Sequence, residues 1–437
     1  YEASTCPGEE GEQVDCRVYH HVDCPAGVET KLKCELYKSM SFIPVVSGVT
    51  SKSAVIWFKA DSETRVRVRV STGEKTSFFP NDGSVFVTEA TDYTGTIVVD
   101  GLSPSTKYVY KVLFDGYPLD TGYLAYFKTF PDMTDEFDPY YDKIQFSVFS
   151  DAAYYKLDQP AVPYRQGGNR VTADQHLFAM QIGDFDHSDP TSLDEMRLMH
   201  SMLRDPTRVH GKMLAGHILT RMPFIHIWDD HDYCGQDTDK TCPLKSEAFQ
   251  AYKEYYPSYD FPSEDGIWFS FEAGHAEVFV LDTRSQRDPD ILPDPQDGTS
   301  MKSMLDGDNI DNDQITWLKN GLTSSTKPWK IIISTVSANK LARPGNIDHW
   351  MTGFRSEAIM LRDWIASQQG LVQPSLRDEI LMISGDLHSG GGIDDGCNNG
   401  FNVAELAVAH TNLVKGNTGN LGAWTEGYAD GSTTGFG

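Results

Sequence analysis

The spacing of apolar and polar residues divides the chain near residue 140. From residue 41 to about 130 the pattern is short and alternating. Thr64-Arg65-Val66-Arg67-Val68-Arg69-Val70 alternates strictly, which predicts a strand with valines on one face and arginines in solvent. Ser53-Ala54-Val55-Ile56-Trp57-Phe58 and Gly95-Thr96-Ile97-Val98-Val99 predict two more strands. In Leu102-Ser103-Pro104-Ser105-Thr106-Lys107-Tyr108 the Leu-x-Pro-x-x-x-Tyr spacing is similar to the corner of fibronectin-type sandwiches, where a tyrosine hydroxyl ties back to a nearby loop. A β-sandwich of about 90 residues is therefore expected over 41–131. The segment 131–141, acidic and flanked by prolines, is a candidate linker.

Beyond it, short apolar strands end in charged loops and longer helical stretches separate them. Strands are predicted at 144–149, 178–182, 224–228, 276–281, 331–334 and 380–383, and helices at 192–203 and 357–368. That alternation predicts an α/β domain over 140–437, a β-sheet core with helices on its outer faces. No internal repeat or low-complexity tract interrupts it. The tail from Thr411 is rich in Gly, Asn and Thr and reads as loop.

Composition changes the picture mainly through charge and cysteine. The chain has 437 residues and a net charge of −26, from 63 acidic and 37 basic side chains. Such a field repels nucleic acid and anionic membranes, so no nucleic-acid surface is expected. It also repels a phosphate ester, unless bound cations supply local positive potential. No apolar run approaches the roughly 20 residues of a membrane helix, and Tyr1-Glu2-Ala3-Ser4 lacks the basic start of a signal peptide, which implies one already removed. Cys6, Cys16, Cys24 and Cys34 fall in a front segment, 1–40, with little core-forming sequence. Disulfides in an oxidising compartment would order it, in any of three pairings, so a secreted or periplasmic location is expected. A zinc module is the rival reading, although the tight Cys-x-x-Cys pairs of zinc ribbons are missing.

The chemistry lies at the strand ends. Phe146-Ser147-Val148-Phe149-Ser150 runs into Asp151, and Met180-Gln181-Ile182-Gly183 into Asp184-Phe185-Asp186-His187. Ile225-His226-Ile227-Trp228 runs into Asp229-Asp230-His231-Asp232, and Met382-Ile383-Ser384-Gly385 into Asp386-Leu387-His388. A single Gly-Asp after a strand is more often a turn or a cap than a ligand. Four such ends, in a fold whose strand ends line the ligand crevice, point to one or two bound cations.

The order Asp, Gly-Asp, (Asn or Asp)-His and Gly-x-x-His resembles the metallophosphoesterase superfamily. Trp228-Asp229-Asp230-His231-Asp232, Leu281-Asp282-Thr283-Arg284 and Asn312-Asp313-Gln314-Ile315-Thr316-Trp317-Leu318 resemble its alkaline phosphatase D family. Asp348-His349-Trp350 with Gly353-Phe354 is similar to that family's Asp-x-Trp-x-Gly-Tyr stretch, with one extra residue before the glycine. The resemblance covers about 41–410 and implies a fibronectin-like β-sandwich followed by a metallophosphoesterase-type β-sheet core flanked by helices.

It further implies that Asp151, Asp184, His187 and His388 hold a first metal, and that Asp184 bridges to a second held by Asp230 and Asp386. His231 would sit by the scissile phosphate as acid or donor, and Arg284 would clamp a phosphate oxygen or pair with a neighbouring carboxylate. The implied reaction is attack of metal-activated hydroxide on phosphorus. Family members often carry a cysteine at the position of Asp151 and a tyrosine at that of His187, which favours ferric iron. Asp with His suits Fe, Zn or Mn in the first site, and the all-oxygen second set leans to Ca or Mg. The family often supplies an Asn ligand downstream of His231, where this chain reads Tyr233-Cys234-Gly235-Gln236-Asp237.

Other residues have plainer readings. Lys340 and Arg343, in a loop after a strand, are expected at the surface, with steering of an anionic substrate as the alternative; His349 is expected in packing, with a place near the site as the alternative; His20-His21 is expected at the surface. The run Asp306 to Asp313 lacks EF-hand order, and Asp311 is placed to cap the following helix. Cys234 and Cys242, eight positions apart in a polar loop, are expected to form a disulfide. Two free thiols, or a bridge to Cys397, are the alternatives. The expected function is a phosphomonoesterase with some phosphodiesterase ability. The rivals are a dedicated extracellular phosphodiesterase, phospholipase D-like in substrate, and a non-catalytic calcium-stabilised binding module. Metal identities, natural substrate and oligomeric state are not readable from the sequence.

Overall fold

The computed structural model describes residues 4–5, 15–16, 42–73, 75–81, 83–118, 124–133, 143–152, 163–165, 176–294, 301–305, 313–342, 346–368, 376–388, 391–411 and 424–425. Cys6, Cys24, Cys34, His20, His21, Asp306 to Asn312, Arg343 and most of the 131–141 linker lie outside them, as do all but two residues of the tail after Thr411. Near the start, Ser4–Thr5 pairs with Asp15–Cys16.

From residue 45 the chain forms β1 (Val45–Ser47), β2 (Ala54–Lys59), β3 (Thr64–Ser71), β4 (Thr76–Phe79), β5 (Val85–Val87) and β6 (Thr94–Val99). Then come β7 (Lys107–Phe114), β8 (Tyr117–Pro118) and β9 (Tyr126–Lys128). All pair antiparallel, in two sheets. One has the order β1-β2-β6; the other runs β8-β7-β3-β4, with β9 on β7 and β5 on β3. The alternation in β3 does what its period dictates. Val66, Val68 and Val70 are buried and share one core with Ile56, Phe58, Ile97 and Val99 of the other sheet. The arginine face is less bare than the pattern suggests, since Arg67 lies over the Phe78 ring and donates to the Pro80 carbonyl at 3.2 Å. At the corner before β7 the backbone N–H of Ser103 donates to the Tyr108 hydroxyl at 2.9 Å, the tie that the sequence spacing suggests.

This front region is not separately cored. Trp57, facing away from the valines, donates its indole N–H to the Glu254 carbonyl at 2.7 Å and lies against the Arg204 guanidinium. Phe130 meets Phe178 and Phe271 at ring distances of 6.0 and 6.3 Å, so the apolar core runs into the second region.

There, β10 (Ser147–Phe149), β11 (Ala179–Ile182) and β12 (Phe224–Ile227) form a parallel three-stranded sheet. Its partner contains β13 (Phe269–Ala273), β14 (Ala276–Val280), β15 (Trp329–Val336), β16 (Ile380–Gly385), β17 (Gly392–Asp394) and β18 (Ala404–Ala407). The order is β13-β14-β15-β16-β18-β17, parallel from β14 through β18 with an antiparallel strand at each edge. Val278, Val280, Ile331, Ile333 and Ile383 face the core shared with the three-stranded sheet. The alternate residues Phe279, Ile332 and Met382 face outward, in a core shared with α5 (Gln314–Ser324), α6 (Trp350–Gly353) and α7 (Arg355–Ser367). Residues of α1 (Leu193–Leu203), α2 (Val209–Leu214) and α4 (Lys245–Tyr255) belong to the core of the smaller sheet. The mixed α/β expectation holds, and parallel strands buried on both faces explain why these segments read as short continuous apolar runs.

Two local readings are corrected. The α5 helix starts at Gln314, and its N-cap is Asp313, which accepts from the N–H groups of Ile315 and Thr316 at 2.8 and 3.1 Å; Asp311 lies too far upstream. The antiparallel edge strand β13, Phe-Ser-Phe-Glu-Ala, is not among the strands expected from the sequence.

Replacing Tyr108 by Phe deletes one half-buried hydrogen bond while keeping the ring. The unfolding midpoint in denaturant should fall by an amount equivalent to about 0.5–1.5 kcal/mol. An unchanged midpoint would show that the hydroxyl does not hold this corner.

Candidate metal centre and active site

The strand ends meet because their backbones take conformations that side chains resist. Asp151, Asp184, Asp386 and His388 have φ of 51°, 49°, 54° and 51°. Non-glycine residues in this region are uncommon, cost on the order of 1–3 kcal/mol each and cluster where function demands them. The glycines before two of these aspartates are needed for room. Gly183 has φ 83°, and a Cβ there would lie 2.5 Å from the Asp229 Cβ; one on Gly385 would lie 2.4 Å from Ser150 Oγ and 3.1 Å from the Thr335 carbonyl. Gly-Asp after a strand here closes the gap between the two sheets.

Four polar side chains then converge. His388 Nε2 lies 3.3 Å from Asp151 Oδ1, 3.5 Å from Asp184 Oδ2 and 3.3 Å from Asp386 Oδ1. His187 Nε2 is 3.1 Å from Asp184 Oδ2, and its Nδ1 faces the Ala152 carbonyl at 2.8 Å, which directs Nε2 inward. Metal bonds of about 2.0–2.2 Å to nitrogen and oxygen place neighbouring donor atoms roughly 3.0–3.5 Å apart, the spacing found here. The buried atoms Asp151 Oδ1, Asp184 Oδ1 and His187 Nε2 make no hydrogen bond within the protein. Ligand atoms of Asp151, Asp184, Asp386 and His388 form one group that can hold a cation. Asp184 recurs in a second with Asp229 and Asp230, and in a third with His187 and His231. Asp184 is thus the shared member, and the donor chemistry fits a pair of cations.

Each residue of the Trp-Asp-Asp-His-Asp string has its own partner. Trp228 donates to Asp282 Oδ1 at 3.0 Å. Asp229 accepts from the Thr335 hydroxyl at 2.8 Å and from Arg284 Nε, linking the two sheets. Asp230 opens α3 (Asp230–Tyr233) and accepts from the N–H groups of His231 and Asp237, at 2.9 and 2.7 Å. His231 Nδ1 lies 2.5 Å from Asp189 Oδ1, and its ring centroid is 4.3 Å from that of His187. Asp232 accepts from the N–H groups of Phe185 and Asp186, at 3.2 and 3.1 Å, and so anchors the loop carrying Asp184. Asp282 takes no place among the ligands. Its carboxylate also accepts from the N–H of Ile267 at 3.1 Å, and its backbone is held on both sides by Gln314, the Gln of the Asn-Asp-Gln motif.

Arg284 requires a correction. It is 0% exposed, with Nε on Asp229 and its two terminal nitrogens on Asp348 at 2.7 and 2.9 Å; Nη2 is 3.8 Å from Asp230 Oδ1. A guanidinium so enclosed cannot clamp a substrate phosphate. It braces the carboxylates instead, as the sequence reading's alternative had it. His349 is buried, as a packing histidine would be, and it also lies beside the site, its Nε2 2.9 Å from Asp386 Oδ2. Asp189 was missed altogether; an aspartate two residues after His187 carries no signal until the fold turns it towards His231. Lys340 is exposed, as expected.

Burial pushes the carboxyls of Asp151 and Asp230 up, and that of Asp229 up to about 7 against the opposing pull of Arg284. Burial acts the same way on Asp184, but His187, His388 and His231 outweigh it and hold its carboxyl well below the usual range. In return, burial lowers the two imidazoles, yet the carboxylates win and raise His187 to about 10 and His388 to about 9. Protons on these two rings thus do part of what a cation would do.

Beside the site, Cys234 and Cys242 are joined in a disulfide with Cα atoms 6.3 Å apart, while Cys397 is exposed and free. No helix among the described residues is long and apolar enough to cross a membrane.

Comparison with known proteins follows this geometry. The profile of the PhoD-like phosphatases matches residues 125–395, and that of the PhoD-like phosphatase N-terminal domain matches 43–131. Among solved structures the chain is similar to PhoD, with TM-score 0.66 and 18% identity over 84% of this chain and 76% of that one. A purple acid phosphatase from yellow lupin (Lupinus luteus) seeds gives TM-score 0.48 and 13% identity over 86% and 66%. At these identities the likeness to PhoD is one of fold. No match is found among curated proteins.

The raised imidazoles give a test that needs no substrate. A cation that takes His187 and His388 must displace their protons. Loading metal-free protein at pH 8 should release about two protons from these rings, and the release should decline as pH rises through about 9 and 10. In the metal-free form the same groups contribute stability that is full below about 6.5 and is lost as pH rises through those values. Titration in weak buffer with a pH indicator measures the release. Metal binding without it would remove these two rings from the ligand set.

Proposed function

The chain belongs to the PhoD-like phosphatase family, and from that premise we propose that it hydrolyses phosphate esters, monoesters first and diesters second, at a two-cation site between its two sheets. Metal-dependent phosphoester hydrolysis follows from the family together with the acidic and histidine clusters. One observation carries the assignment to this site: buried carboxylates and imidazoles from four strand ends converge, with donor atoms at coordination spacing and several making no hydrogen bond in the protein.

In this reading Asp151, Asp184, His187 and His388 hold the first cation, and Asp184, Asp230 and Asp386 the second. The cations supply Lewis acidity and lower the pKa of a bound water. The chain's own residues do the rest. Asp184, common to both sets, would help to hold both cations. His231, held through Nδ1 by Asp189, presents Nε2 and can pass a proton to the departing oxygen. Arg284, Asp229 and Asp348 keep the carboxylates in place. His388 is 23% exposed and Asp189 50%, so the site opens to solvent on the side where an ester would enter, which suits monoesters and diesters alike. A module that only bound calcium would have no use for the His231–Asp189 pair. The front region, with its two antiparallel sheets and its tyrosine tie, is a fibronectin-like sandwich in this reading. The Cys234–Cys242 disulfide supports an oxidising, extracytoplasmic compartment.

Hydrolysis of nitrophenyl monoesters and bis-nitrophenyl diesters should vanish on exhaustive chelation and return with divalent cations. Full activity in protein shown to be metal-free would overturn the assignment. His231→Ala should lower turnover roughly 10²–10⁴-fold on an alkyl phosphate, whose leaving group needs a proton, and less on a nitrophenyl ester. Asp189→Asn should fall short of that loss but follow the same order between the two esters. Equal losses on both esters would show that His231 does not act as the acid.

A further inference from the structure

The chain that follows β17 crosses the strand ends that carry the ligands. β18 lies beside β16, with Ala407 paired to Ser384, and Val408 continues the line by donating its N–H to the Ser384 carbonyl at 2.8 Å. A few residues on, the chain has reached the smaller sheet. His410 pairs with Ser150 as a parallel bridge, and the Thr411 N–H donates to the carbonyls of Ser150 and Asp151 at 2.8 and 3.1 Å. The Thr411 hydroxyl adds a further bond, to the Ser150 carbonyl at 2.8 Å. At the near end of this stretch Glu405 is 0% exposed. Its Oε1 accepts from Ser384 Oγ at 2.6 Å, from Ser337 Oγ at 2.8 Å and from the Ala338 N–H at 3.0 Å, while its Oε2 makes no hydrogen bond. Ser337 and Ala338 follow β15 directly, and Ser384 stands two residues before Asp386. The stretch 405–411 therefore touches the ends of β10, β15 and β16. It lies beyond residue 395, where the match to the PhoD-like phosphatase profile stops.

These ends need support from outside. Asp151, Asp386 and His388 have φ of 51°, 54° and 51°, a region that side chains resist and that persists only where the surroundings enforce it. Asp232 supplies that support to the Asp184 loop, and the N–H groups of His231 and Asp237 supply it to Asp230. For Asp151, Asp386 and His388 the stretch 405–411 is placed to do so. We propose that this stretch is a strap that positions Asp151, Asp386 and His388, with Glu405 and Thr411 as the positioning residues through which it acts. One Glu405 oxygen accepts from the ends of both β15 and β16, and so fixes the offset between them more narrowly than apolar packing does. Thr411 holds the backbone at Asp151, whose Oδ1 then meets His388 Nε2 at 3.3 Å across the gap between the sheets. The inference rests on the two-cation reading above and adds to it two residues that touch neither cation nor substrate. Burial raises the Glu405 carboxyl against the three hydrogen bonds that lower it, so a neutral side chain that accepts at the same oxygen can take its place.

The test uses the full chain and cobalt(II) as the probe. Affinity and the absorption spectrum of the bound ion are the readouts, with the unfolding midpoint in denaturant measured beside them. Titrations are run far from unfolding, where a loss of stability alone leaves the affinity unchanged because nearly all the protein is still folded. Glu405→Leu should weaken cobalt binding roughly 10–100-fold, the range for lost outer-shell support, and should change the spectrum. Glu405→Gln should bring back the wild-type affinity and spectrum. Thr411→Val keeps the shape and the N–H and deletes one bond, so it should weaken binding by less than Glu405→Leu does. A Glu405→Leu protein that binds cobalt as the wild type does, with only a lower midpoint, overturns the proposal. So does a Glu405→Gln protein as weak as Glu405→Leu. Should Glu405→Leu not fold, Thr411→Val decides: an unchanged affinity and spectrum overturn the strap, and a weaker site with a shifted spectrum supports it. None of these readouts involves turnover. Wild-type protein that binds no cobalt would sink the two-cation reading, whereas variants that leave cobalt binding intact sink the strap alone.

Discussion

The structure is organised around negative charge that the protein alone does not balance. Asp151, Asp184, Asp229, Asp230, Asp348 and Asp386 are all buried within one region, faced by the buried guanidiniums of Arg284 and Arg287. Each ion removed from water costs several kcal/mol after relaxation, and the cost is recovered only where a countercharge sits close with good geometry. Arg284 and Arg287 recover it on the Asp348 side, where the contacts are short and bidentate. On the Asp151 and Asp184 side only imidazoles are present, and they balance the charge by holding protons. A divalent cation that displaced those two protons would carry the same charge at shorter range from the carboxylates. The same shortage of protein countercharge that makes the metal-free site unfavourable makes the site selective for cations.

What keeps such a cluster from springing apart is the set of bonds one step out from it. Asp232 ties the Asp184 loop to α3, Thr335 and Arg284 tie Asp229 to the larger sheet, and Gln314 ties the backbone of Asp282 to α5. Behind them both sheets are backed by apolar packing, with Met180, Ile225, Val280 and Ile333 in the layer between them. The front sheets add to this through Trp57 and Phe130 rather than standing apart. A rigid apolar layer is what lets four residues stay in left-handed backbone conformations at their strand ends.

Much of this was legible because it is local. Strand ends with Asp and His could be read from the period-two and apolar-run patterns, since a strand fixes where its next residue points. The Tyr108 tie and the α1 helix, with Ser192 Oγ accepting from the Glu195 N–H, were likewise readable over a few residues. The partners of Arg284 were not. Asp348 lies 64 positions downstream, and only the fold shows that the guanidinium turns inward rather than towards substrate. The same holds for His349, 37 positions from Asp386, and for Asp189, 42 positions from His231. A histidine beside an aspartate in sequence carries no information about the side chain it faces in space. The sequence supports a family and a set of strand-end donors, whereas the partners that Arg284, His349 and His231 face across the fold are long-range.

The disulfide shows how local and long-range constraints meet. The loop from Cys234 to Cys242 is short, and closing it removes unfolded-chain entropy equivalent to about 2–3 kcal/mol by the chain-entropy account. Its position matters more than that figure. Within the loop Asp237, with φ 50°, turns its backbone N–H onto Asp230 Oδ2 at 2.7 Å, and α3 immediately before it carries both Asp230 and His231. A loop free to open would release that N–H and leave Asp230, whose carboxyl burial already pushes up, with one donor fewer on its charged form. The crosslink therefore closes the loop that supplies one of the two backbone hydrogen bonds to a carboxylate at the site, besides its contribution to the stability of the fold.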